Sequence, residues 1–287
     1  MISKKNTTFV LLTFIVITIS LYTVEKRLVF YNNKSFGMIS YKVDKDKYLS
    51  KFTGNTINIY LENGKLYSQY ELKDELILSN AVADLDNDGK DEIILLTCKD
   101  TSQYAEYLLV LSFNAYNESK DTITFKEIYR HNFKDLNPWK VQTSDVDGDG
   151  KTEISIGVYK TSPLHPVMAK RPFIYDWINS SIFPKWRGSR LSRPFDDYVF
   201  LDLDSDERDE IVSIEHTAEG KKVLTAYSWK GFGFEKTGES ISFLDISSIS
   251  VKLDQGEKTS LVKAKVKQNS KWLEKTFYYL DGEILTK

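Results

Sequence analysis

The sequence predicts an all-β protein built from a repeated four-stranded unit, and three observations lead to this prediction. An acidic loop recurs in one frame at 84–93, 145–154 and 202–211, with spacings of 61 and 57 residues. An aromatic residue followed by a tight turn recurs with a similar period. The chain also contains 17 Tyr and 16 Phe, and such residues favour strands over helices.

The three acidic loops align without gaps. They read DLDNDGKDEI at 84–93, DVDGDGKTEI at 145–154 and DLDSDERDEI at 202–211. A fourth segment, 252–261, fits the same frame but keeps only Asp254 among the acids of the pattern. We interpret this fourth segment as a degenerate copy that has lost its function.

The aromatic turns lie between the acidic loops and give an independent measure of the repeat. Their aromatic residues are separated by 53, 62, 52 and 51 positions and are Tyr60, Phe113, Tyr175, Tyr227 and Tyr278. Asn63-Gly64 and Asp281-Gly282 are strong signals for a β-hairpin. Both features therefore share a period of roughly 55 residues, which is long enough for four strands.

Four antiparallel strands in each repeat, with the repeats arranged around an axis, describe a β-propeller. Five aromatic turns predict about five blades, and four, or six to seven, are the alternatives. The first blade, roughly 30–72, has no recognisable acidic loop, and its strands are candidates for completion by the other end of the chain. Since no long Pro/Gly/Ser-rich linker interrupts the repeats, residues 28–287 are predicted to form one domain.

The N-terminal segment, 1–27, is predicted to be a signal peptide or a membrane anchor. Lys4 and Lys5 precede an apolar stretch at 9–24, which ends before Glu25. As a helix this stretch would be about 24 Å long, slightly short for a membrane span. We favour an uncleaved anchor with the rest of the chain outside, and cleaved secretion is the alternative.

Charge and cysteine content narrow the function classes. The net charge of −2 provides no basic field for nucleic acid, which we therefore exclude as a partner. Cys98 is the only cysteine, so neither an internal disulfide nor a thiolate metal cluster can form. An exported chain of this kind needs another means of fixing its loops, and calcium is the natural candidate.

The acidic loops have the pattern D-x-D-x-D-G-x-x-E, in which alternate residues can direct oxygen atoms to one point. Hard oxygen ligands in this number suit Ca²⁺ better than Mg²⁺. We therefore predict two to three structural calcium ions. The predicted ligands are Asp84, Asp86, Asp88, the Lys90 carbonyl and Glu92; Asp145, Asp147, Asp149, the Lys151 carbonyl and Glu153; and Asp202, Asp204, Asp206, the Arg208 carbonyl and Glu210.

Two details separate these loops from each other and from an EF-hand. An EF-hand requires a bidentate Glu at position 12, where this chain has Leu95, Ile156 and Ser213. Position 6 needs a residue that turns sharply with positive φ, which glycine does without strain. Glu207 replaces that glycine in the third loop, and we expect its backbone to be strained.

The loops resemble the calcium loops of FG-GAP/VCBS-type repeats in integrin-α-like β-propellers. The resemblance covers 81–96, 142–158 and 198–214, and it implies a calcium loop between the first and second strands of a blade. This chain departs from the family pattern in two ways. Position 9 is Glu rather than Asp, and no Phe-Gly…Gly-Ala-Pro element precedes the loops.

A second group of candidate ligand-binding residues lies between two repeats. An arginine and tryptophan surface can hold a carboxylate, a phosphate or an acidic polymer. The interpretation that we favour is structural, with the arginines capping carbonyls or pairing with Asp196 and Asp197. The residues of this group are Trp186, Arg187, Arg190 and Arg193.

Catalytic patterns are weak in this sequence. The three histidines, His131, His165 and His216, are scattered and have no Ser or Cys motif beside them. Trp177 and Trp229 recur at the same turn position, which favours blade packing over a sugar-stacking platform.

The sequence thus favours a non-catalytic platform for a surface protein or glycan, with membrane contact through the N-terminal segment if it is uncleaved. An extracellular polysaccharide lyase or hydrolase is the alternative.

Overall fold

The computed structural model describes residues 36–100, 102–117, 122–188, 190–253 and 260–287, which form twenty β-strands and one short 3-10 helix, Lys134–Leu136. The predicted N-terminal segment, 1–27, lies outside these residues. Within the described ranges, no helix combines the length and apolar character that a membrane crossing requires.

The strands group into five antiparallel blades of four consecutive strands each. Blade 1 contains β1 (Ile39–Val43), β2 (Asp46–Thr53), β3 (Thr56–Leu61) and β4 (Leu66–Glu71); blade 2 contains β5 (Leu76–Ala83), β6 (Glu92–Cys98), β7 (Tyr107–Asn117) and β8 (Thr122–Asn132); blade 3 contains β9 (Pro138–Ser144), β10 (Glu153–Ser162), β11 (His165–Ile178) and β12 (Ser181–Arg187); blade 4 contains β13 (Phe195–Leu201), β14 (Glu210–His216), β15 (Lys222–Trp229) and β16 (Phe234–Ser240); and blade 5 contains β17 (Asp245–Leu253), β18 (Ser260–Gln268), β19 (Lys271–Leu280) and β20 (Glu283–Thr286).

The blades pack face to face in sequence order, with the first strands of successive blades next to each other. Four buried apolar clusters fill the interfaces between blades 1 and 2, 2 and 3, 3 and 4, and 4 and 5. Blades 4 and 5 are also joined by a short parallel pairing of β16 with β20. The chain is therefore a β-propeller, and the prediction of about five blades is confirmed.

Blade 1 differs from the expectation that the other end of the chain completes it. Its four strands come from one continuous stretch, 39–71, and pair in the order β1-β2-β3-β4. The last strand, β20, instead pairs with β19 and β16 as the outer strand of blade 5. Among the described residues, no buried apolar cluster joins blade 5 to blade 1.

The aromatic turns pack the blades together. Trp177 and Trp229 lie at the ends of the third strands of blades 3 and 4, and both are buried. Trp177 meets Tyr129 of blade 2 edge-to-face at 5.8 Å between ring centroids and belongs to the cluster between blades 2 and 3. Trp229 meets Phe234 of its own blade at 5.3 Å and belongs to the cluster between blades 3 and 4. This geometry stabilises aromatic pairs. The interpretation that these tryptophans serve blade packing is confirmed.

The outer strand of blades 1 to 4 carries one extra residue at the same place. In each blade the pairing of the third and fourth strands skips a single residue of the fourth strand, a β-bulge. The skipped residues are Tyr67, Ile128, Lys185 and Thr237.

Candidate metal centres

The three acidic loops connect the first and second strands of blades 2, 3 and 4. In each loop, carboxylate oxygens from alternate residues lie within 4.8 Å of one another. The converging acids are Asp84, Asp86 and Asp88; Asp145, Asp147, Asp149 and Glu153; and Asp202, Asp204, Asp206 and Glu210. The loops therefore bring together the predicted side-chain ligands except Glu92, which is outside the converging set of the first loop, and each cluster could hold a metal ion.

The aspartate at position 1 folds the loop backbone. In the second loop, the Asp145 carboxylate accepts hydrogen bonds from the N–H groups of Gly148 (2.7 Å), Asp149 (3.2 Å) and Gly150 (2.8 Å). Equivalent bonds run from Asp88 and Gly89 to Asp84, and from Asp206 and Glu207 to Asp202. Position 1 is thus needed for loop shape as well as for charge.

The glutamate at position 9 lies beneath the loop at the start of the second strand. One of its oxygens accepts a 3.0 Å hydrogen bond from the N–H of the buried apolar residue at position 2. This bond has the same length in all three loops and joins Leu85 to Glu92, Val146 to Glu153 and Leu203 to Glu210. The glutamates are 2–3% exposed, so this shared bond helps to fix a buried carboxylate under each cluster.

Burial has a strong effect on these glutamates. It raises the pKa of Glu92 to about 8 and that of Glu210 to about 7, and the neighbouring aspartates of each loop add to the shift. Burial also raises the pKa of Glu153 to about 7, although Lys185 opposes the change. Burial therefore disfavours the ionised forms of these carboxylates, and a nearby positive charge would favour them.

We expect the metal-free protein to become less stable as pH rises from about 4.5 to about 8. The three glutamates have folded-state pKa values above the unfolded value, so the folded state binds protons more tightly. Their contribution to stability is present at low pH and is lost as pH rises through 7–8. Calorimetric melting in a chelator across this range measures the trend, and a rising melting temperature would contradict it.

The turn at position 6 takes the left-handed conformation in every loop. Its φ is 88° at Gly89, 78° at Gly150 and 69° at Glu207. The first two are glycines, which adopt this conformation without strain. Glu207 adopts it with a full side chain, as expected from the sequence.

Replacing Glu207 with glycine is expected to raise the free energy of unfolding by about 1 kcal/mol, since left-handed backbone costs an L-residue about that much. The reciprocal control is Gly150→Ala, because a Cβ at Gly150 meets nothing within 4 Å and tests conformation alone. Denaturant unfolding should show a higher free energy of unfolding for Glu207→Gly and a lower one for Gly150→Ala. Equal stability of Glu207→Gly and wild type would show that the turn stores no strain.

The second loop contains a cation of its own. The Lys185 ammonium lies 2.5 Å from Asp147 Oδ2, 2.6 Å from Glu153 Oε1 and 3.2 Å from Asp176 Oδ1. Burial opposes its charge, but the hydrogen bonds that the ammonium donates to Asp147 and Glu153 outweigh this effect and raise the pKa of Lys185. Sequence reasoning missed Lys185 because it lies 32 residues after Glu153, on an outer strand without a motif.

A second feature missed from the sequence is the aspartate at position 8. The Asp91 carboxylate accepts a 2.6 Å bond from the N–H of Lys42 in blade 1, and Asp209 accepts a 2.9 Å bond from the N–H of Asp145 in blade 3. The first and third loops therefore each tie their blade to the preceding one. Asp recurs at position 8 in the first and third loops, whereas the second loop has Thr152. This recurrence was the signal in the sequence that could have identified the contact.

The degenerate fourth loop lies largely outside the described residues. β17 ends at Leu253 and β18 begins at Ser260, so Asp254 falls between the two described ranges. Its loss of metal binding stays a prediction.

The arginine and tryptophan group is divided by the structure. Arg193 pairs with Glu239 at 2.6 Å and lies 3.7 Å from the fully buried Glu215. Trp186 packs edge-to-face on Phe234. Arg187 and Arg190 are exposed.

The acids that we expected to pair with these arginines have other partners. Asp196 pairs with His216 and Lys222, and Asp197 pairs with Lys140. Arg193 therefore has a structural role of the expected kind but with different acids, while ligand binding by the exposed arginines stays a prediction.

Comparisons with known proteins give a structural likeness and no sequence match. No family model matches the sequence, and no curated protein matches it. A solved structure described as the Dos1 propeller is similar, with a TM-score of 0.46 and 13% sequence identity. The alignment covers 81% of this chain and 51% of that one, so this chain spans about half the length of that protein.

The fold and the clusters together define a class of protein. It is a β-propeller in which three successive blades carry acidic clusters, suited to metal ions, between their first and second strands.

Proposed function

We propose that this protein is a non-catalytic, calcium-stabilised β-propeller that acts outside the cytoplasm as an interaction platform for a surface protein or glycan. Calcium is structural in this proposal and fixes the loops that join successive blades. The N-terminal segment, 1–27, supports export, either as an uncleaved anchor or as a cleaved signal.

The observation that carries the proposal is the common geometry of the three clusters. Carboxylate oxygens converge within 4.8 Å, and a buried glutamate is fixed under each loop by the same hydrogen bond. In the third loop, no described lysine or arginine forms an ion pair with Asp202, Asp204, Asp206 or Glu210. Such a cluster fits a divalent cation.

The donor set favours calcium over magnesium. All of the candidate ligands are oxygen atoms, and they lie at alternate positions of one short loop, which suits the irregular, oxygen-rich coordination of calcium. Magnesium prefers a strict octahedron and keeps several waters. The location of the loops between first and second strands also supports the resemblance to FG-GAP/VCBS-type repeats, in which calcium occupies that position.

A platform role is supported by an exposed apolar hairpin on blade 3. Leu164 is 88% exposed at the turn between β10 and β11, and Val167 and Met168 follow it on the surface. The buried Arg171 lies beneath this turn and donates hydrogen bonds to the carbonyls of Lys160, His165 and Val167. Exposed apolar residues that lie together are typical of surfaces that meet a partner.

A cleft on blade 1 is a candidate binding surface whose two glutamates are engaged within the protein. It has a volume of about 1070 Å³ and lies along the edge of blade 1. Glycoside chemistry needs two carboxyl groups directed at one substrate. Here Glu75 is held by Arg130 at 2.6 Å and by the Thr97 hydroxyl at 2.7 Å, and Glu71 accepts a bond from Asn55.

The proposal is tested by incubating the full-length protein with a panel of acidic and neutral glycans and with the proteins of a cell-envelope fraction. Retention that depends on calcium and leaves the glycan intact is the expected result. Cleavage of any glycan bond would instead support the polysaccharide-active alternative. Binding that is unchanged by a chelator would contradict the structural role of calcium in the platform.

A further inference from the structure

The three acidic loops differ in how their negative charge is balanced. In the first loop, Lys90 pairs with Asp88 at the exposed rim of the cluster. In the second loop, Lys151 makes the equivalent rim pair with Asp149. Only in the second loop, among the described residues, does an additional lysine enter the cluster from another strand, and this lysine is Lys185.

The position of Lys185 explains how it reaches the cluster. It is the extra residue of the β-bulge on the outer strand of blade 3, and its side chain is only 14% exposed. The equivalent bulge residues in the blades that carry the first and third loops are Ile128 and Thr237, which have no charge. Only blade 3 therefore has a lysine at the bulge position, although all three blades have the same bulge.

The contacts of Lys185 overlap with those that a metal ion would use. Its ammonium contacts one oxygen of Asp147 and one of Glu153, at 2.5 and 2.6 Å, and both residues belong to the converging set of the second loop. Calcium binds carboxylate oxygens at about 2.3–2.6 Å. Two cations cannot share these oxygens without strong mutual repulsion.

We infer that Lys185 is a built-in cation of the second acidic loop, and that this loop therefore binds calcium more weakly than the first and third loops. The inference rests on the proposed calcium binding of the loops. Asp176, 3.2 Å from the ammonium and outside the converging set, is the partner that Lys185 keeps if a metal ion displaces it. The second loop is thus held in shape without calcium, whereas its two neighbours depend on the ion.

Equilibrium dialysis of the full-length protein against labelled calcium tests the inference. Wild type is expected to show two tighter sites and one that is weaker by about 10-fold or more. Lys185→Thr introduces the residue that blade 4 has at this position, and it should strengthen the weak site by a similar factor. Lys151→Thr is the matched control, because it removes an equal charge from the exposed rim of the same loop and should change affinity by less than about 3-fold.

A second variant shows which loop forms the weak site and provides a result that does not depend on the folding of one variant alone. Asp147→Asn in the wild-type background should leave the two tighter sites unchanged, while in Lys185→Thr it should remove the site that was gained. Three sites of equal affinity in wild type, or no gain in folded Lys185→Thr, would overturn the inference while leaving calcium binding intact. Absence of calcium binding at every loop would overturn both the inference and the proposed function.

Discussion

Chelation of calcium is expected to lower the melting temperature of this protein by about 10–20 °C relative to buffer with about 10 mM calcium. A site with an affinity near 10⁻⁴ M, usual for extracellular modules, is then saturated about 100-fold. Each such site stabilises the folded state by about 2.7 kcal/mol. Two of them give about 5 kcal/mol, and for a domain of this size each kcal/mol corresponds to about 2–4 °C.

The effect has a clear structural origin and a direct control. Without the ion, the carboxylates of the first and third loops repel one another at distances within 4.8 Å. The buried glutamates beneath these loops then also have no cation to balance their negative charge. Replacing calcium with magnesium at the same concentration should restore little of the melting temperature. A melting temperature that is the same in chelator and in calcium would exclude a structural role for the metal.

Replacing Glu153 with alanine is expected to lower the free energy of unfolding by about 3 kcal/mol when measured in a chelator. The substitution removes one of the three carboxylates around the Lys185 ammonium, whose side chain is only 14% exposed, and loss of a partner of such a mostly buried charge is destabilising. It also leaves the N–H of Val146 without its acceptor, which costs a further part of the total.

The matched control is Glu92→Ala in the first loop. Glu92 accepts the same bond from position 2 and is equally buried, but no described lysine or arginine forms an ion pair with it. The Glu92 variant should therefore lose about 2 kcal/mol less than the Glu153 variant in chelator. Denaturant unfolding of both proteins measures the difference, and equal losses would show that Lys185 does not stabilise the second loop.

The fold was predictable because it is repeated. Alternate acids, the apolar residue at position 2 and the aromatic turns recur at a fixed period, and each repeat of the pattern reports the same local structure. The left-handed turn followed from the glycines of two loops, and this made Glu207 recognisable as strained before the structure was known. The same reasoning misjudged blade 1, because pairing between distant chain ends leaves no periodic signal.

The differences between the loops were not predictable, since they depend on single residues from other strands. Lys185 reaches its cluster only because a bulge places it there, and a lysine on an amphipathic strand usually points to solvent. The partners of Arg193 were likewise hidden, as Glu215 and Glu239 come from two different strands of blade 4. Local patterns thus specified the sites, while tertiary packing decides how much each site depends on metal.

A crystal structure of the full-length protein grown in calcium, with anomalous scattering measured at long wavelength, tests the central claim most directly. The account predicts anomalous peaks in the first and third loops, each about 2.3–2.6 Å from the carboxylate oxygens of positions 1, 3 and 5. At the second loop it predicts a weaker peak, or the Lys185 ammonium in its place. Diffraction from calcium-saturated crystals with no anomalous peak at Asp84 or at Asp202 would contradict the account.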